Sequence, residues 1–145
     1  MVRKALCFCT LLALVFAVGC GGSGGGKTTY PVSGTVKFAD GSPLTAGEIN
    51  FVSKDTTARG KIQSDGSFKL GTYKDGDGAP AGSYRISIVG ARSEGTGQQD
   101  KSGQYDMGKP LVHPKYESPD GSKLTYEVKP DKGANANADF TVEKP

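Results

Sequence analysis

Tyr30-Pro31-Val32-Ser33-Gly34-Thr35-Val36-Lys37-Phe38-Ala39-Asp40-Gly41-Ser42-Pro43-Leu44 is the stretch that decides the fold. Val32, Gly34, Val36 and Phe38 alternate with Ser33, Thr35 and Lys37, a period of two that sets the apolar residues on one face of a strand. Asp40-Gly41 follows as a turn in which glycine takes a positive φ without steric cost. One strand cannot bury such a face alone, so the apolar runs around it must supply its partners.

Six further runs follow toward the C-terminus. Glu48 to Ser53 carries Ile49 and Phe51 on one face, Ala58 to Ser64 is a weaker run around Ile62, and Ser67 to Thr72 presents Phe68 and Leu70 together. Tyr84, Ile86 and Ile88 alternate with Arg85 and Ser87; Leu124, Tyr126 and Val128 alternate with Lys123, Thr125, Glu127 and Lys129; Phe140 and Val142 close the set. Asp65-Gly66 and Asp120-Gly121 fall between runs, as hairpin turns would. No window after residue 30 shows a helical apolar stripe, and 22 glycines and 8 prolines argue against one. Seven short strands, each with one apolar face, are satisfied by two sheets packed face to face: an all-β sandwich over residues 30–145.

Toward the N-terminus the chain changes character. Arg3 and Lys4 precede an uncharged stretch from Ala5 to Val18, long enough for the apolar region of an export signal and short of the ~20 residues that span a bilayer. Ala17-Val18-Gly19 sets small or modest side chains before Cys20, and Gly21-Gly22-Ser23-Gly24-Gly25-Gly26 follows directly. The arrangement resembles a bacterial lipobox, with Ala17 where that pattern usually has leucine. It divides the chain into a signal peptide (residues 1–19), a lipidated cysteine with a glycine-rich tether (20–29) and the sandwich (30–145). Stable anchoring requires more than one acyl chain, so a triacylated Cys20 is the expected attachment to the membrane. A flexible tether from Gly21 to Thr29 reaches on the order of 15–18 Å.

Maturation also settles charge and redox chemistry. Two of the 18 basic residues are Arg3 and Lys4, and all 15 acidic residues lie beyond Cys20, so the mature domain is close to neutral and presents no electrostatic case for nucleic acid. Cys7 and Cys9 fall in the signal and Cys20 is taken by lipid, which leaves no thiol for a disulfide, a metal or a nucleophile.

The turn motifs carry a family resemblance. Gly34-Thr35-Val36, Asp40-Gly41-Ser42-Pro43-Leu44, Gly47-Glu48-Ile49-Asn50-Phe51, Ser64-Asp65-Gly66-Ser67-Phe68 and Gly78-Ala79-Pro80-Ala81-Gly82-Ser83-Tyr84-Arg85-Ile86 together resemble the carboxypeptidase regulatory-like, or transthyretin-like, β-sandwich domains. With the lipobox, the chain is similar to small lipoproteins of this type in planctomycete bacteria. The resemblance implies a seven-stranded prealbumin-like sandwich and, usually, no known activity. Hydrolases of the same architecture that act on 5-hydroxyisourate need several imidazoles, an arginine and a Tyr-Arg-Gly-Ser end, whereas this chain has one histidine and closes on Val142-Glu143-Lys144-Pro145.

Few residues invite a chemical role. His113 is the one imidazole and lies between Pro110 and Pro114 in a segment read as an exposed loop, which leaves a Ser/His/Asp triad without a placed base. Asp75 and Asp77 in Lys74-Asp75-Gly76-Asp77-Gly78 are weak Ca²⁺ candidates, because Ala79-Pro80 interrupts the loop where further ligands would follow. Glu94, Asp100, Asp106, Glu117 and Asp120 fall in a 32-residue connection, Ala91 to Ser122, that exceeds an ordinary link. Within it Gly95 to Gly103 reads as mobile, and Leu111-Val112 with Pro114-Lys115-Tyr116 reads as pinned to the sandwich. Tyr73, Tyr105 and Tyr116 are candidates for a binding platform, although the chain has no tryptophan.

The expectation is a non-catalytic cell-envelope lipoprotein that presents a structural or interaction module, with no cofactor. Its partners would be the membrane through the lipid, and an envelope protein or glycan. Gly21 rather than aspartate after the cysteine resembles the outer-membrane choice in lipoprotein sorting, with the domain facing periplasm or exterior. The alternative function is a ligand-binding module for envelope glycan or Ca²⁺.

Overall fold

The computed structural model describes residues 26–145, so Cys20, the segment before it and the tether from Gly21 to Gly25 lie outside the described residues. In chain order the elements are β1 (Thr29–Tyr30), β2 (Ser33–Phe38), β3 (Glu48–Val52), β4 (Thr57–Lys61), β5 (Ser67–Lys69), β6 (Ala79–Pro80), β7 (Gly82–Val89), a 3₁₀ turn (Pro114–Glu117), α1 (Pro119–Ser122), β8 (Thr125–Val128) and β9 (Phe140–Val142). The seven longer strands correspond to the seven alternating runs. They form an all-β sandwich of a four-stranded antiparallel sheet, β4-β3-β7-β8, and a three-stranded sheet, β5-β2-β9. In the smaller sheet β2 runs antiparallel to β5 and parallel to β9.

Register converts alternation into a core. Ile49 lies opposite Gly60 on β4 and Ile88 on β7, while Phe51 lies opposite Ala58 and Ile86, so one face of three strands turns inward together. From the facing sheet come Val36, Phe68, Phe140 and Val142, all buried. Phe51 is the hub: its ring centroid lies 6.1 Å from Phe68, 6.0 Å from Tyr84, 5.6 Å from Tyr126 and 5.9 Å from Phe140, bringing aromatic rings of both sheets together. Tyr84 keeps its hydroxyl satisfied in this setting by donating to the Pro80 carbonyl at 2.9 Å, and burial pushes its phenol pKa up.

Two of the three Asp-Gly turns hold as expected. Gly41 and Gly66 have φ of +83° and +80°, and Asp40 and Asp65 each accept the backbone N–H two residues on, from Ser42 and Ser67. Asp120-Gly121 does not form a hairpin. It lies inside α1, with Pro119 at the first position and Ser118 accepting the Gly121 N–H at 2.9 Å, and the positive φ falls on Lys123 (57°) at the helix end. Two-residue strands β1 and β6, which no alternation marks, pair Thr29 with Pro80 and Tyr30 with Ala79 near the start of the described residues.

The long connection has its own organisation. Ala91 to Leu111 forms an irregular hairpin: Ser93 donates to the Lys109 carbonyl, Leu111 to Ala91, Asp106 to Gln98 and Asp100 to Gln104, all at 2.8–3.0 Å. Gly95 to Gly103, expected to be mobile, therefore forms part of a hydrogen-bonded arm. Beyond it the chain folds back onto the larger sheet as the apolar residues predict. Val112 and Tyr116 are buried, the Ser122 hydroxyl donates to the Ile86 carbonyl, and the Ile86 N–H donates to Leu124 at 2.9 Å.

Candidate functional site

His113 is held by local geometry rather than by a catalytic partner. Its Nδ1 accepts the Lys115 N–H at 3.2 Å and so caps the 3₁₀ turn, which assigns the ring proton to Nε2 when the imidazole is neutral. The side chain is exposed, and among the described residues no serine hydroxyl is hydrogen-bonded to it.

Asp75 and Asp77 diverge in role. Asp77 accepts the N–H groups of Thr72 at 2.7 Å, Tyr73 at 3.2 Å and Lys74 at 3.3 Å, so both carboxylate oxygens face the backbone of their own loop. The Thr72 hydroxyl closes the loop on the Gly78 carbonyl at 2.7 Å. A run of N–H groups around a carboxylate stabilises a turn and points donors, not acceptors, at the centre. Asp75 is exposed on the rim of a neighbouring cleft. Among the described residues no group of three or more His, Cys, Asp or Glu side chains is placed to hold a metal.

The three tyrosines do not form one platform. Tyr116 is 4% exposed, and its hydroxyl accepts the Glu143 N–H at 3.2 Å, which makes it part of the core. Tyr73 and Tyr105 are each 58% exposed but belong to different ends of the sandwich. Tyr73 accepts the Lys27 N–H at the end where β1 and β6 pair, whereas Tyr105 lies on the arm that leaves the far end of β7.

Asp100 and Asp106 of the arm are structural caps. Asp100 accepts from the Ser102 hydroxyl at 2.6 Å, the Ser102 N–H at 2.8 Å and the Gln104 N–H at 3.0 Å. Asp106 accepts from both the N–H and hydroxyl of Thr96 and from the Gly108 N–H. These donors favour the ionised forms, so both carboxyls titrate below their ordinary value, Asp100 chiefly through the Ser102 hydroxyl and Asp106 chiefly through the Thr96 N–H. Asp120 pairs with Arg85, and Glu143 pairs with Lys115 at 2.7 Å. A shallow cleft of about 590 Å³ runs beside Tyr105, Met107 and Arg92 on the arm.

A different surface concentrates charge, and sequence reading did not find it. Where the open edges of β4 and β5 approach each other, Arg59 and Gly71 exchange backbone hydrogen bonds at 2.9 and 2.8 Å, and a trough opens on either side of this junction. One part, about 560 Å³, is lined by Arg59, Lys61, Gln63, Lys69 and Asp75 over a floor that includes Phe68. The adjoining part, about 330 Å³, shares Arg59, Lys61 and Asp75 and adds Tyr73 and Lys74. The four cations come from three separate segments, so no local run of basic residues announced them. None of the four is in an ion pair among the described residues; the pairs there are Lys27–Asp55, Arg85–Asp120, Lys115–Glu143 and Lys144–Asp40.

Comparison with known proteins adds little to this geometry. No family model matches the chain, and no curated protein matches it. Among solved structures the chain is similar to the major pilin subunit BcpA of Bacillus cereus, with 15% sequence identity and a TM-score of 0.40. That likeness covers 81% of this chain and 30% of the pilin chain, so the chain spans under a third of the pilin's length.

Proposed function

We propose that the chain is a non-catalytic lipoprotein of the cell envelope, cut before Cys20, acylated there, and presenting a transthyretin-like β-sandwich as a structural or interaction module at a membrane surface. The observation that carries this reading is the sequence from Arg3 to Gly26: a positive start, an uncharged run, small residues before Cys20 and a glycine run that leads into the domain. The join supports it. Lys27 is exposed, its N–H donates to the Tyr73 hydroxyl at 3.0 Å and its ammonium pairs with Asp55 at 2.9 Å, so the tether meets the sandwich on its surface and leaves the core undisturbed.

The sandwich supports a presenting rather than a reacting role. Its interior is filled by the aromatic cluster around Phe51, and the acidic side chains with hydrogen bonds serve turns, the arm, ion pairs and, for Asp139, a tie to Thr35 of β2. The sheets β4-β3-β7-β8 and β5-β2-β9 support the β-sandwich part of this reading. Export through an oxidising compartment is compatible with a domain that contains no cysteine beyond Cys20. In cells fed a fatty-acid analogue, Cys20→Ser is expected to abolish labelling and leave the precursor uncut. Normal processing and unchanged membrane retention of that variant would overturn the reading.

A further inference from the structure

We infer that the trough along the β4–β5 seam docks on anionic lipid headgroups, so that the sandwich lies against the membrane that holds its tether. This inference rests on the anchor reading above and extends it from an attachment to an orientation. Two independent features converge on the same surface. The first is charge: Arg59, Lys61, Lys69 and Lys74 face the trough without carboxylate partners among the described residues, with Asp75 at its rim and Glu48 beside its smaller part. The second is where the described chain starts. Gly26 lies so flat against the Tyr73 ring that a Cβ on it would come within 2.8 Å of the ring carbon bearing the hydroxyl, and Tyr73 itself lines the trough.

Chain length makes this placement consequential. Between Cys20 and Gly26 the backbone extends at most roughly 20 Å. A lipidated Cys20 therefore keeps Tyr73, Lys74 and the adjoining trough within about that distance of the headgroups. A Lys or Arg near an anionic leaflet strengthens attachment about fivefold, and four that converge on one face fix which side of the module turns toward the bilayer. Tyr73, 58% exposed with a ring and a hydroxyl, suits the boundary between headgroup and water. The arm leaves β7 beyond Val89, at the end where Glu48 pairs with both Val89 and Lys61, and it carries Tyr105 and Met107 at 58% and 68% exposure.

The chain has no tryptophan, so Tyr73→Trp provides a single fluorescent reporter without background. The lipidated full-length product, extracted from membranes, is reconstituted in vesicles of neutral phosphatidylcholine or with added phosphatidylglycerol, each carrying a headgroup-attached quencher. Docking predicts at least threefold stronger quenching in the anionic vesicles. The difference should disappear in 1 M salt and in a variant that also carries Lys69→Glu and Lys74→Glu. Equal quenching of the Tyr73→Trp reporter in both lipids, or quenching indifferent to the charge reversals, overturns the docking while leaving the anchor intact. Binding of soluble polyphosphate with no lipid-dependent quenching assigns the trough to a free polyanion and overturns it too. Absence of acyl chains from the extracted protein overturns the anchor reading, and the docking with it.

Discussion

At the scale of single residues, the fold depends on positions whose reasons lie far along the chain. Gly34 fits the alternation of β2 as one more small inward residue. Its necessity comes from Ala138, whose carbonyl oxygen would lie 2.1 Å from a Cβ built on Gly34 while the Ala138 N–H donates to Ser33 at 3.0 Å. A methyl there must push apart two hydrogen-bonded backbones. Gly34→Ala is expected to lose about 3 kcal/mol of stability in urea unfolding with an unchanged m-value, and a loss under 0.5 kcal/mol would contradict that packing. The Asp75/Asp77 pair makes the same point about side chains. Their i, i+2 spacing suggested two carboxylates on one ion, but the spacing cannot show that Thr72, Tyr73 and Lys74 already direct three N–H groups at Asp77. Asp77→Ala should cost about 1–2 kcal/mol and Asp75→Ala less than about 0.5. Equal losses in thermal or chemical unfolding would argue against the loop-closing role.

At the scale of elements, the legible parts were those with a period. β2, β3, β5, β7, β8 and β9 announce themselves by alternation, and β4 less clearly, because its inward positions Ala58 and Gly60 carry little apolar surface. What escaped reading has no period: the two-residue pair β1 and β6, and the turns at Pro114 and Pro119, where proline starts a short helical turn instead of marking loop. The arm from Ala91 to Leu111 escaped for another reason. Its order comes from Asp100 and Asp106 capping backbone N–H groups, a local polar device that has no hydrophobic signature. Because both carboxyls titrate below their ordinary value in the folded arm, they stabilise it fully above the usual carboxyl range. That stabilisation fades as pH falls through roughly 4 and below. Amide resonances of Thr96, Ser102, Gln104 and Gly108 should accordingly titrate with midpoints below those of unfolded aspartates and move toward random-coil positions in acid. Midpoints at or above the unfolded value would mean that the caps do not hold the arm.

At the scale of the whole molecule, the seven-strand sandwich was readable because each alternating run needs a partner face and the count of runs fits two sheets. The surface was much less readable. The basic trough is assembled by β4, β5 and the loop that follows β5, and the pairing of Arg59 with Gly71, with the Gln63 N–H on the Ser67 carbonyl, brings those segments into register. The proposed anchor lies before Gly26 and would make Cys20 the mature N-terminus. Intact-mass analysis of the protein extracted from membranes tests this most directly. The account predicts a chain that begins at Cys20 and is heavier than its sequence by a diacylglyceryl group and one amide-linked acyl chain. An unmodified chain, or one that begins elsewhere, would contradict it.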